Sequence, residues 1–207
     1  METLTNPSFL DRVLRWGHVM FGIIWLGHLF FFNLVNVPFQ GGLDKELKPK
    51  VNPALLLRAF WWFRWGAMYT FIFGILLFGF KYFHQGLFYA DPAAKAGISN
   101  RAIWMLFGML LATIMWFNVW FVIWPRQKLI LGGLAAGTPH PDAAKLAAVA
   151  GKASRFNTYA SGPMLYGMIV PNNYSGWHLT GIILATILGL GFWFGNIKRS
   201  FKVKTTV

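Results

Sequence analysis

Apolar and polar positions along this chain sort into long apolar blocks divided by short polar joints. The blocks have the length of a bilayer rather than of a globular-core helix. They run over Leu10–Val37, Leu55–Phe83, Ala102–Trp124, Asn157–Val170 and Trp177–Asn196. A hydrocarbon core of about 30 Å needs about 20 apolar residues in a helix, and four of the five blocks supply that or nearly so. The fourth is short and carries Gly162 and Pro163, so as a crossing it must borrow from the stretch before it. In that stretch, Ala143–Phe156, small apolar residues recur at helical spacing, with Lys145, Lys152 and Arg155 on the wetter side. This predicts an amphipathic helix along the cytoplasmic surface that turns into the fourth span. The joints are marked by Pro38, Gly41, Gly42, Pro49 and Pro53, by Asp91-Pro92 with Gly97, and by Gly132-Gly133 and Gly137-Thr138-Pro139. The expectation is an all-α integral membrane protein. It has one domain over 1–207, built as a bundle of five transmembrane helices plus one cytoplasmic amphipathic helix.

Charge adds an orientation. The six acids (Glu2, Asp11, Asp44, Glu46, Asp91, Asp142) lie in tails, joints or block ends, and an ion-coupled transporter usually keeps an ionisable group at mid-membrane. The net charge of +13 comes from Lys and Arg that flank the blocks without forming a run. It reads as a topology signal and not as a nucleic-acid surface. The joints after the odd-numbered blocks and the C-terminal tail hold most of it, including Lys45, Lys48, Lys50, Arg126, Lys128, Lys198 and Arg199. That side should be cytoplasmic, which puts the N-terminus outside a cell inner membrane crossed five times and the C-terminus within. The absence of cysteine excludes disulfides, iron–sulfur clusters and covalently attached c-type haem.

Four histidines are candidates by position. His18 lies about two turns inside the first block, and His28 follows about 15 Å further along the same helix, roughly 80° around it. His84 closes the second block and His178 opens the fifth, both on the side of His18. A b-type haem held by two imidazoles from different helices is one reading, with His18 and His178 as the first pair of iron ligands and His84 as substitute. Such ligands are neutral and donate their second nitrogen to a carbonyl or carboxylate. A chlorophyll-type pigment or a quinone is the other cofactor reading, with His28 in its aromatic surround. Histidines serving only as interfacial or interhelical polar groups remain the plain alternative. Arg64 is either a snorkelling cation or a fixed one facing a propionate, a lipid phosphate or an anionic substrate. Asn33, Asn118 and Asn157 are placed to hydrogen-bond between helices. Trp25, Trp104, Trp116 and Trp120 lie too deep for the interfacial belt that suits the other indoles.

The runs His18-Val-Met-Phe-Gly-Ile-Ile-Trp-Leu-Gly27, Trp62-Phe-Arg-Trp-Gly-Ala-Met-Tyr-Thr70 and above all Thr113-Ile-Met-Trp-Phe-Asn-Val-Trp-Phe-Val-Ile-Trp-Pro-Arg-Gln-Lys128 resemble the membrane domain of the cytochrome c-linked, membrane-bound urate oxidases. Lys152–Tyr174 resembles the same domain's next signature. The resemblance implies a helical membrane domain, and family members also carry further helices and a C-terminal cytochrome c domain. Gly66, Phe156 and Asn172-Asn173-Tyr174 stand here where the family pattern has Glu, His and Asn-His-Tyr; His18 carries over.

Taken together, these features lead to an integral membrane subunit of a larger respiratory or photosynthetic redox complex, structural or electron-relaying, with other membrane subunits and the lipid bilayer as partners. A stand-alone b-type haem electron carrier is the second reading. The third is a degenerate urate-oxidising enzyme using a separate cytochrome c. For that enzyme, Arg64 and His18 fall about 15 Å apart along the membrane normal, too far to grip one purine.

Overall fold

The structure, a computed structural model, describes residues 7–91, 95–172 and 179–203. Helix α1 covers 7–42, α2 covers 48–84, α3 covers 100–135, α4 is Ala143–Ile169 and α5 is Leu179–Ser200. Four of these (Ser8–Gly42, Lys48–His84, Asn100–Ala135 and Leu179–Ser200) are long and apolar enough to cross a membrane. The all-helical membrane reading therefore stands at that level. The apolar blocks underestimated the helices. The first three run 35, 37 and 36 residues, or roughly 55 Å at 1.5 Å per residue, so their ends extend past a 30 Å core.

The stretch 143–156 is not a separate surface helix. It continues into 157–169 as one helix of 27 residues. Pro163 sits inside it, with its ring against α5, where a Cβ on Gly189 would fall 2.7 Å from Pro163 Cδ. Thr158 and Ser161 turn their hydroxyls onto Ser154 O and Thr158 O, which satisfies them inside the helix. A second departure is the short antiparallel hairpin β1 (Tyr89–Asp91) and β2 (Ala96–Ile98), pairing Tyr89 with Ile98. It joins α2 to α3 with Gly97 at φ +68°, a conformation that favours glycine.

Three helices each contain a π-helical segment, Phe31–Asn36 in α1, Gly79–His84 in α2 and Asn118–Ile123 in α3. Two of them end just before a proline, Pro38 and Pro125. Proline has no N–H to donate, and its ring clashes with the carbonyl four residues back. A widened turn absorbs that clash without breaking the helix.

The helices pack as two antiparallel hairpins, α1 with α2 and α3 with α4, and α5 lies along α4. A shared hydrophobic cluster lies toward one end. Trp25, Leu29, Phe32, Phe60, Phe63, Met115, Val119, Ile123 and Met164 form one buried cluster there, and Phe32 stacks on Phe60 at 4.4 Å. Polar side chains tie the same region together. Asn118 donates to Asn157 Oδ1 (2.8 Å), Asn157 to Met115 O (2.9 Å) and Asn33 to Ser154 Oγ (2.8 Å), which is the interhelical use expected of these asparagines. Toward the other end, α3 and α4 cross at Gly108 and Gly167, where an added Cβ on Gly167 would lie 2.9 Å from Gly108 N. There the two hairpins splay apart, and a cavity opens between them.

Candidate functional site

Along α1, Arg15, His18, Gly22 and Trp25 follow at spacings of three, four and three, so they share one face of the helix. That face looks into the space between the hairpins. His18 Nδ1 lies 2.9 Å from Thr70 O on α2. A carbonyl only accepts, so Nδ1 carries a proton, and in the neutral imidazole Nε2 keeps its lone pair. Nε2 has no hydrogen-bond partner among the described residues. Gly74, one turn on from Thr70, makes room for the ring: a Cβ there would fall 3.0 Å from His18 Cε1 and 3.1 Å from Nδ1. The tautomer and aim of His18 are thus fixed by two backbone positions of α2.

The cavity measures about 710 Å³, within the range of sites for cofactors and other small molecules. α1 and α2 form one wall, and α3 and α4 form the other with Met105, Met109, Met164 and Met168. Trp25, only 2% exposed, closes the deep end, and its indole N–H has no acceptor among the described residues. A smaller pocket of about 30 Å³ adjoins this space and is lined by His18, Trp25, Met109 and Met168 among others. At the opposite end the lining is cationic. Arg15, Lys81 and Arg101 face it with no carboxylate among the lining residues. Asp11 stands behind them, 3.3 Å from Arg15 and 3.7 Å from Lys81. One side is open: Val19, Ile23 and Ile169 line the cavity and yet are 50%, 63% and 58% exposed, so they frame a lateral window between α1 and α4.

Of the other expected site residues, His84 ends α2 exposed, stacked on Phe80 at 5.3 Å, and does not line the cavity. His28 bonds through Nδ1 to Ile24 O of its own helix at 2.7 Å and also lies outside the lining. His178 lies outside the described residues. Arg64 holds its guanidinium 4.0 Å from the Trp124 ring centroid and is absent from the lining. It stands ten residues along α2 from Gly74, the residue against His18, a separation of about 15 Å. Trp116 stacks on Phe71 at 4.5 Å, and Trp120 meets Trp65 edge-on at 5.6 Å; both indoles are used inside the bundle. Gly66 packs closely on α1, where a Cβ would lie 3.0 Å from Ile24 Cγ2 and 3.1 Å from Trp25 N. A side chain there, such as the glutamate that the resemblance implies, would crowd α1.

Sequence reading missed the cationic mouth and the methionine wall. In sequence Arg15, Lys81 and Arg101 are three of many charges that flank the apolar blocks. The methionines carry a signal of their own, since Met105/Met109 and Met164/Met168 repeat at i, i+4 and so fall on one face of each helix.

The family profile described as urate oxidase N-terminal matches residues 88–205, more than half of the chain. The chain belongs to that family. Within this urate oxidase N-terminal family match lie the hairpin, α3, α4 and α5, and with them Arg101 and the four methionines; His18 and α2 precede it. No curated protein and no solved structure matches the chain.

Proposed function

We propose that this chain is an electron-relaying integral membrane subunit of a redox complex, and that it holds a b-type haem between its two helical hairpins. The observation that carries the reading is His18, anchored through Nδ1 and with no partner at Nε2 among the described residues, in an apolar cavity whose mouth is cationic. An imidazole that donates one nitrogen to a carbonyl and offers the other is the arrangement an iron ligand needs. Haem b has an apolar macrocycle and anionic propionates at one edge. The methionines, Leu26, Leu77 and Phe78 suit the former, and Arg15, Lys81 and Arg101 the latter. A chlorophyll-type pigment or a quinone would fill the apolar part but bring no carboxylate to the mouth, where Arg15 and Lys81 share that of Asp11 and Arg101 adds a further charge.

When bound, the haem supplies one-electron uptake and release at its iron. The chain supplies everything that makes this reversible. His18 Nε2 holds the metal, and Thr70 O keeps the ring aimed. The three cations hold the propionates and favour the anionic cofactor. The apolar walls exclude water. Among the described residues no carboxylate lines the cavity to move protons, which favours relay over catalysis. A urate-oxidising role fits less well, since about 710 Å³ of mainly apolar space far exceeds a small polar purine. In this reading α4 is the fourth of five crossings, about 40 Å long. The basic joints place the N-terminus outside an inner membrane and the C-terminus in the cytoplasm. The neighbours are other membrane subunits, with cytochrome c as one candidate electron partner.

The test is a reduced-minus-oxidised visible spectrum of the protein purified from membranes. A b-type Soret and α-band are expected, lost in His18→Ala and kept in His84→Ala. Protein that is pure, folded and free of Soret absorption even after haem supplementation defeats the proposal.

A further inference from the structure

The cavity has one wall that carries His18 and an opposite wall that carries methionines. A flat cofactor ligated by His18 therefore turns its second face toward α3 and α4. No histidine of those two helices is available there among the described residues, and the groups on that wall able to bind iron are thioethers. Thioether sulfur is a soft ligand, and haem iron accepts a Met/His pair, which raises its potential.

Helix register selects among the four methionines. Phe71 stacks on Trp116 and Trp65 meets Trp120, so Gly74, against His18, stands level with α3 near residues 112–113. Met109 is then about one turn from that level toward the mouth, roughly 5 Å. The Gly108–Gly167 crossing places Met168 and Met105 further along, while Met164 is largely taken up in the core, 4% exposed. Met109 and Met168 both line the small pocket beside His18, and of the two Met109 stands nearer the level of Gly74. We propose that Met109 is the second axial ligand, opposite His18; this rests on the haem reading above. It assigns an iron ligand within the family-matched half of the chain, paired with one from the half that precedes it.

The experiment uses the haem-loaded, full-length protein and reads the weak far-red sulfur-to-ferric-iron charge-transfer band beside the Soret band. Met109→Leu, Met168→Leu and His178→Ala are compared with the unmodified chain. Met-to-Leu exchanges conserve volume and usually cost less than about 1.5 kcal/mol, so folding is kept. The band is expected in the unmodified protein, lost in Met109→Leu with the Soret retained, and unchanged in the other two variants. A Soret band without the charge-transfer band in the unmodified protein overturns the Met109 assignment and leaves the haem reading intact. So does a band that survives Met109→Leu. Absence of any Soret absorption defeats the haem reading itself, and the ligand assignment with it.

Discussion

Gly74→Ala tests whether the aim of His18 depends on α2. The added Cβ would begin 3.0 Å from His18 Cε1 and 3.1 Å from Nδ1, where ordinary contact is 3.4–4 Å. The ring must therefore retreat by about 0.4–1 Å, which lengthens its 2.9 Å contact with Thr70 O to about 3.3–3.9 Å, at or beyond hydrogen-bond range. Thr70 O belongs to the ladder of α2 and loses little, but Nδ1–H is left without an acceptor. A buried donor in that state costs about 1–3 kcal/mol. If the cost falls on the bound state, it corresponds to about 5- to 150-fold weaker haem binding, at 1.4 kcal/mol per factor of ten. Titrating haem into purified apoprotein and following the Soret band measures the shift directly, and a thermal melt of the apoprotein shows whether the fold is kept. Unchanged haem affinity in Gly74→Ala, with His18 still indispensable, refutes the idea that the Thr70–Gly74 backbone sets the ligand.

Gly167→Ala should destabilise the bundle by about 1–3 kcal/mol, the usual cost of overpacking, because the new Cβ meets backbone atoms of Gly108 at 2.9–3.0 Å and neither helix can turn a side chain away. A detergent melting temperature equal to the unmodified protein's would contradict that close crossing. Asn157→Leu should lower stability by about 1–3 kcal/mol, since it strands Asn118 Nδ2 and removes the bond to Met115 O; an unaltered melt would mean those groups find other partners.

The membrane-length helices were legible because a bilayer imposes a long apolar run that nothing else in a short chain explains. The unity of α4 was legible only in part, from a fourth block too short to cross without the stretch before it. Gly162-Pro163 and the basic residues 145, 152 and 155 look like an interruption in sequence, and only the fit of Pro163 against Gly189 shows that the helix continues. π-helical segments leave no apolar period of their own, although the prolines that follow two of them were visible. His18 could be read as a candidate because a polar ring stood in an apolar run. Its partner was a backbone carbonyl, which sequence does not display. Arg15, Lys81 and Arg101 sit on three different helices, so their convergence is a property of packing. Arg64 stood out in sequence for the opposite reason: it is conspicuous locally, yet the fold turns it onto Trp124.

The lateral window framed by Val19, Ile23 and Ile169 sets where a ligand's supply is measured. An apolar guest that enters sideways is drawn from the lipid phase, so occupancy follows its mole fraction in the bilayer and not its concentration in water. Solubilising the protein in excess detergent dilutes that reservoir and empties the cavity by mass action, however well the fold survives. Preparations in native lipid patches and preparations in micelles would then look like two different proteins.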